Sequence, residues 1–212
     1  MKLIEKSGSK IAYVRFAAEL VVIILWLCVI FGFSFDNSTL SSRKSGKLLV
    51  LIVNAVDPSL GATVDNYQML PNLENCEKIL RKCAHMTEYG ILALLAFIFV
   101  SDIIKTREKQ RYSQSGVLLG QNKVQKRSNS DLKCACSCAD DVFSKSAYAA
   151  LIAEILVVIT GSIDEYIQSK TPGRYGTPVD VFIDACGGAI VLIFCIFIGR
   201  KLKKRRERGR TL

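Results

Sequence analysis

Four apolar stretches, around residues 11–35, 79–100, 147–163 and 179–198, constrain this chain more than anything else in it. The cleanest part of the first, residues 20–33, carries no charged side chain. About twenty apolar residues coiled as a helix cross the roughly 30 Å hydrocarbon core of a bilayer. Inside that core only helices and closed barrels satisfy every backbone N–H and C=O. The chain therefore reads as all-α, a polytopic membrane protein with four transmembrane helices in a single domain over residues 1–212. Its composition agrees, with 50% hydrophobic residues and a net charge of +10. The charge alone would also suit nucleic-acid binding. The basic residues, however, lie between and after the apolar runs and form no groove-reading module, so no nucleic-acid partner is expected.

The first stretch could be a signal peptide, since basic residues precede it. No small-x-small cleavage site follows and the run is long for a signal sequence, so it is expected to be an uncleaved membrane helix. Arg15 and Glu19, spaced i,i+4, read as a local ion pair near its start. Residues 36–78 form a mixed loop. Within it residues 47–56 are apolar but too short to span, and Asp57-Pro58 ends them, which predicts a short helix lying at the membrane interface. Residues 101–145, rich in Lys, Arg, Ser, Gln and Asn, read as a flexible cytoplasmic insertion. Cys134, Cys136 and Cys138 within it could bind a soft metal or carry a lipid, but without an evident fourth ligand the cluster reads as incidental. Cys28, Cys83, Cys186 and Cys195 lie in or at apolar segments, where cysteine behaves as a small hydrophobe. Residues 200–212 form a basic cytoplasmic tail.

Orientation follows from the positive residues, which accumulate on cytoplasmic loops. Residues 1–15, 101–145 and the tail hold all but eight of the 29 lysines and arginines. Both termini are thus expected in the cytoplasm, with residues 36–82 and the hinge at 164–178 facing outward. Three polar clusters then fall on one membrane face. Arg81, His85, Glu88 and Tyr89 share one stripe of the second helix through their i+3 and i+4 steps. Asp164, Glu165 and Gln168 end the third helix. Asp180 and Asp184 begin the fourth. Carboxylates beside membrane-length apolar runs are costly unless paired or wetted, so by default they mark a functional site.

Each of these residues also has a structural reading. Thr177-Pro178-Val179-Asp180 has the form of a helix start, with Thr as N-cap, Pro at the first position and Asp at the third. That explains Asp180 without any ligand. Asp184, one turn deeper, has no such explanation. Pro172-Gly173 makes a turn, and Gly187-Gly188 lets a neighbouring helix come close. Arg174, just ahead of a helix N-terminus, suits a phosphate or carboxylate, or else pairs with a nearby carboxylate of the chain itself. His85, the chain's only histidine, would alone be a hydrogen-bonded structural residue; beside Glu88 and the hinge carboxylates it fits acid–base work. One imidazole and no thiolate argue against zinc, leaving a hard cation as the only metal to consider, and no metal or other cofactor is assigned. No serine-nucleophile motif, glycine-rich phosphate loop or zinc-protease helix is present.

Arg81-Lys82-x-Ala84-His85-x-x-Glu88-Tyr89 before an apolar helix, and then Asp164-Glu165-x-x-Gln168-x-x-x-Pro172-Gly173-Arg174-x-Gly176-x-x-x-Asp180-Val181-x-x-Asp184-x-x-Gly187, together resemble the VanZ-like family of bacterial membrane proteins. The resemblance covers the three later helices and the overall layout. It departs at Ile167, where the family usually has a histidine, and in the long 101–145 insertion. It implies a multi-pass protein of the cell membrane and, from the founding member, a role in low-level resistance to teicoplanin-type glycopeptides. The candidate catalytic residues are then His85, Glu88, Asp164 and Glu165, and the candidate substrate-binding residues Gln168, Arg174, Asp180 and Asp184. Expected partners are the lipid bilayer and either a lipid-linked, anionic envelope component or a lipophilic glycopeptide. Two alternatives carry weight from the residues themselves: a non-enzymatic envelope scaffold locked by its polar cluster, and a small transporter with Glu154 as a mid-membrane relay.

Overall fold

The computed structural model describes residues 2–60, 62, 63, 65, 73–119 and 131–209. Five α-helices follow in order: α1 Lys2–Ser34, α2 Ser38–Val56, α3 Leu73–Leu119, α4 Asp131–Lys170 and α5 Pro178–Arg208, with one 3-10 turn at Pro58–Leu60 after α2. No strand occurs among the described residues. Helices α1, α3, α4 and α5 contain spans long and apolar enough to cross a membrane, Ala12–Ser34, Asn75–Arg111, Ser144–Lys170 and Pro178–Arg205. Most of their apolar surface faces outward: only 11–33% of the residues in the most apolar windows are buried. Leu25 of α1, Leu151 of α4 and Phe197 of α5 are all exposed. So much contiguous apolar surface would drive aggregation in water, and in a bilayer it is the normal outer face.

The helices run further than the apolar stretches suggested. The segment expected to be a flexible insertion is helical at both ends, through Leu119 of α3 and from Asp131 of α4. Lys, Arg, Glu and Gln are good helix formers, so a helix leaving the bilayer has no reason to stop where hydrophobicity does. Residues 120–130 and the side chains of Cys134, Cys136 and Cys138 lie outside the described residues. The helix expected over 47–56 likewise begins earlier, at Ser38. Asn37 caps it, its side chain accepting a hydrogen bond from the Leu40 N–H at 2.9 Å. It ends before Asp57-Pro58 as the sequence predicts. Asp57 there accepts from the Ser59 N–H and hydroxyl, which holds its carboxyl below the usual range. Leu49 packs against Leu73 and Ala62, laying α2 on the start of α3.

The core sets a group of small residues beside larger ones such as Ile30, Tyr89, Leu92 and Leu192. Ala93, Ala96, Ala149, Ala150, Ala153 and Val157 are buried at the contacts among the long helices. Small side chains allow backbones to approach closely, which is how helices associate where lipid removes the hydrophobic drive. The tightest approach is α5 on α3. A Cβ at Gly187 would stand 2.8 Å from the Met86 Cα, and one at Gly90 would meet Val191 at 3.0 Å. On the α4 side, a Cβ at Gly188 would stand 2.8 Å from a Glu154 carboxylate oxygen. Helix α1 is tied on by polar contacts at three heights. Arg15 pairs with Asp102 at 2.9 Å and with Glu19 at 3.6 Å. Trp26 donates to the Glu88 carbonyl at 2.9 Å. The third tie is at the hinge.

Gly187→Ala is expected to force α3 and α5 apart and cost about 1–3 kcal/mol, more than the ~1 kcal/mol that alanine's better helix propensity returns. Gly199→Ala, with nothing within 4 Å of the added Cβ, is expected to be neutral or slightly stabilising. Thermal unfolding of the two variants in the same detergent checks the pair.

Candidate functional site

The hinge, residues 171–177, joins α4 to α5. Gly173 has φ +76°, a left-handed conformation that other residues adopt only with strain. The chain thereby turns back so that Thr177 opens α5. The Thr177 hydroxyl oxygen accepts from the Asp180 N–H at 3.2 Å, and its proton goes to the Asp180 carboxylate at 2.8 Å. This is the cap the sequence predicts. Asp180 also pairs with Lys82 of α3 at 2.9 Å. Its two oxygens are thus occupied by the protein itself.

The hinge also closes over the end of α1, whose last carbonyls have no partners within the helix. Arg174 donates to the carbonyls of Phe33 at 3.0 Å and Asp36 at 3.4 Å. Thr171 donates from its hydroxyl to the carbonyl of Ser34 or of Ile167, 3.3 and 3.1 Å away. A cation at a helix C-terminus is doubly favourable, as a donor and as a charge against the dipole. Among the described residues Arg174 makes no ion pair within 4.0 Å, so the internal pair that the sequence offered as one reading is absent. Its charge is answered at longer range. Burial lowers its pKa and Arg81 adds to that, while Asp164, Glu165 and Asp36 oppose; an arginine stays cationic regardless.

Below the hinge, Asp164 is wholly buried. The Ser34 hydroxyl of α1 donates to one of its oxygens and the Gln168 amide to the other, the latter at 2.8 Å. Ser34 has the Ile30 carbonyl as a local alternative at 3.1 Å, but a buried carboxylate is the stronger acceptor. Glu165 accepts from the Thr177 N–H at 2.9 Å. Asp184, only 2% exposed, has one carboxylate oxygen, Oδ2, sealed from solvent with no hydrogen-bond partner. His85 Nδ1 is in the same condition, and the Tyr89 hydroxyl stands beside Asp164. The nearest ionic neighbour of His85 Nδ1 is Glu88, at 3.8 Å, beyond hydrogen-bond reach.

These groups surround a cavity of about 220 Å³. Helix α2 contributes Ser38 and Ser41; α3 contributes Arg81, Lys82 and His85. Glu165 and Gln168 of α4 face it, as do Arg174 and Tyr175 of the hinge. Asp180, Ile183 and Asp184 of α5 complete the wall. Of the eight residues singled out from the sequence, six line the cavity: His85, Glu165, Gln168, Arg174, Asp180 and Asp184. Glu88 and Asp164 do not. Asp164 faces Ser34 instead, and the Glu88 backbone is held by Trp26.

Sequence reasoning missed Ser34, Ser38, Ser41 and Glu77. A lone serine in an apolar run ordinarily bonds its own helix, and nothing in the sequence pairs Ser34 with a residue 130 positions away. The serines of 38–45 lie in polar sequence that reads as loop. Ser45 donates to the buried Glu77 at 2.7 Å, fixing α2 beside α3. Among the described residues no group of three or more His, Cys, Asp or Glu could hold a metal ion.

The VanZ/LLP1 family model matches residues 19–199. Neither the curated proteins nor the solved structures give a match.

Removing the Ser34 hydroxyl leaves one buried oxygen of Asp164 without that donor, at about 1–3 kcal/mol, whereas removing the carboxylate leaves Ser34 the Ile30 carbonyl. Ser34→Ala and Asp164→Asn are each expected to destabilise, and the double variant to cost less than their sum. Chemical unfolding of the two single variants and the double completes the cycle.

Proposed function

The chain belongs to the VanZ/LLP1 family, and from that membership together with the cavity we propose that it binds, or acts on, an anionic component of the cell envelope and so protects against teicoplanin-type glycopeptides. It is a membrane protein with four candidate spans. In the proposed orientation both termini are cytoplasmic and the hinge faces outward. The support is the distribution of positive charge, with twenty-one of the 29 lysines and arginines at the ends opposite the hinge.

One observation carries the reading: Arg174 stands in the cavity wall beside Ser38 and Ser41 without an ion-pair partner among the described residues. A guanidinium held by backbone carbonyls keeps its geometry and its charge, and its remaining N–H groups can fork onto a phosphate or carboxylate. Any proton transfer would fall to His85 and Glu165, the cavity-lining acid–base candidates, with Glu88 and Asp164 acting from behind the wall. Arg174→Ala or His85→Ala is expected to abolish protection against a teicoplanin-type glycopeptide while membrane abundance stays unchanged. Full protection in both variants would falsify the site assignment.

A second reading has its own observation. Arg174 and Thr171 clamp the end of α1, and Asp164 is consumed by Ser34 and Gln168. These contacts suit a bundle lock in a non-enzymatic envelope scaffold. Under that reading, each variant loses abundance or melting temperature in proportion to any lost protection. Immunoblotting of membranes beside susceptibility assays separates the two.

A further inference from the structure

Subtracting the internal ion pairs from the cavity leaves a pattern that an anion site alone does not require. Lys82 is neutralised by Asp180 at 2.9 Å, and Arg81 faces the buried Glu77 at 3.9 Å. What remains unpaired on one wall is Arg174, next to the hydroxyls of Ser38 and Ser41 at the start of α2. What remains on the other wall is acidic. Asp184 lines the cavity, its unpartnered Oδ2 turned toward Gly161 of α4 just behind the wall, and Glu165 has one oxygen on Thr177 and the other uncommitted. A buried carboxylate oxygen with no donor costs several kcal/mol unless something supplies one. The protein supplies none to Asp184, although both walls of the cavity are rich in polar groups.

We propose that the cavity takes a zwitterion, its anionic group held by Arg174 with Ser38 and Ser41, and its primary ammonium donating to Asp184 and Glu165. The proposal deepens the anion-binding reading above and rests on it. The volume, about 220 Å³, suits a phosphate joined to an ammonium by a few carbons. Two sources offer that chemistry: a phospholipid headgroup or the free phosphoamine. Exposed apolar side chains at the start of α5, Val179 and Phe182, sit beside the cavity-lining Asp180 and Ile183. They give a lipid's acyl chains a place to run. A quaternary ammonium would not serve, since it has no N–H to give to Asp184.

The full-length protein in nanodiscs is titrated with phosphatidylethanolamine, phosphatidylglycerol and phosphatidylcholine in turn, and bound lipid is read by native mass spectrometry. Phosphatidylethanolamine is expected to bind about tenfold more tightly than either of the others, the increment of one charge-assisted hydrogen bond. Asp184→Asn is expected to bring the three lipids within about twofold of each other while phosphatidylglycerol binding is retained. Arg174→Gln is expected to weaken all three. Equal binding of phosphatidylethanolamine and phosphatidylglycerol by the native chain, still lost in Arg174→Gln, overturns the zwitterion and leaves the anion reading standing. Binding indifferent to Arg174→Gln overturns both. Should Asp184→Asn fail to fold, the native chain's ranking of the three lipids decides alone. Free phosphoethanolamine and inorganic phosphate, added as competitors, identify the source. Displacement by phosphoethanolamine but not phosphate means that the headgroup suffices; resistance to both means that the lipid is the ligand, and either upholds the proposal.

Discussion

A carboxylate without access to water is costly unless something hydrogen-bonds it, and most of the hinge end of this bundle is arranged around that need at Asp164. Its two oxygens draw in Ser34 from α1 and Gln168 from its own helix. The Ser34 contact fixes the height of α1 against α4. Once α1 stands at that height, its terminal carbonyls lie under the hinge, where Arg174 and Thr171 satisfy them. Each contact presupposes the others. Apolar contact between helices cannot supply this registration, because lipid tails compete equally for apolar faces and contribute no preference for one sliding position over another.

Glycines play the complementary part on the other side. Gly187 and Gly90 let α5 lie against α3 almost backbone to backbone, which sets His85 on α3 and Asp184 on α5 as facing walls of one cavity. Gly188, one residue on, makes room for the Glu154 carboxylate of α4. A helix of average side-chain size at these positions would hold the walls further apart and open the site to bulk water. Exposure would weaken every polar interaction in it, since electrostatic attraction falls as the effective dielectric rises. On α5 the cavity residues Asp180, Ile183 and Asp184 are followed within about a turn by the packing residues Gly187 and Gly188, so neither set can drift without the other.

Much of this was legible from residue order alone. Apolar runs gave the spans because backbone hydrogen bonding leaves a membrane chain few options. Thr177-Pro178-x-Asp180 gave the start of α5 because capping is local chemistry, and the structure contains it bond for bond. Convergence of His85, Glu165, Gln168 and Asp184 followed from counting turns down each helix from a common end. Contacts that depend on how helices rotate about their axes were not legible. Ser34 and Asp164 are the clearest case, because either could have faced lipid, solvent or another helix until the packing was known. The full reach of α2 was hidden for another reason. Its first two turns, Ser38–Lys44, are polar, and their helical state comes from the Asn37 cap and the packing of Gly46 and Leu49 rather than from an apolar run.

The departure at Ile167 takes on a definite meaning in this geometry. Two α4 residues face the cavity, Glu165 and Gln168. Asp164 and Thr171 face α1. At 3.6 residues per turn Ile167 lies beyond Asp164 and Thr171, on the side away from Glu165 and Gln168, partly buried and outside the cavity wall. An imidazole there would be placed among the contacts of the α4 and α1 ends, where Thr171 bonds the Ile167 carbonyl. It would not stand among the groups that meet a ligand. Isoleucine at 167 brings no polar group to the contacts around Asp164 and Ser34, and His85 and Glu165 line the cavity apart from it. The donors on the buried Asp164 carboxylate are thus Ser34 from α1 and Gln168 from one turn further along α4.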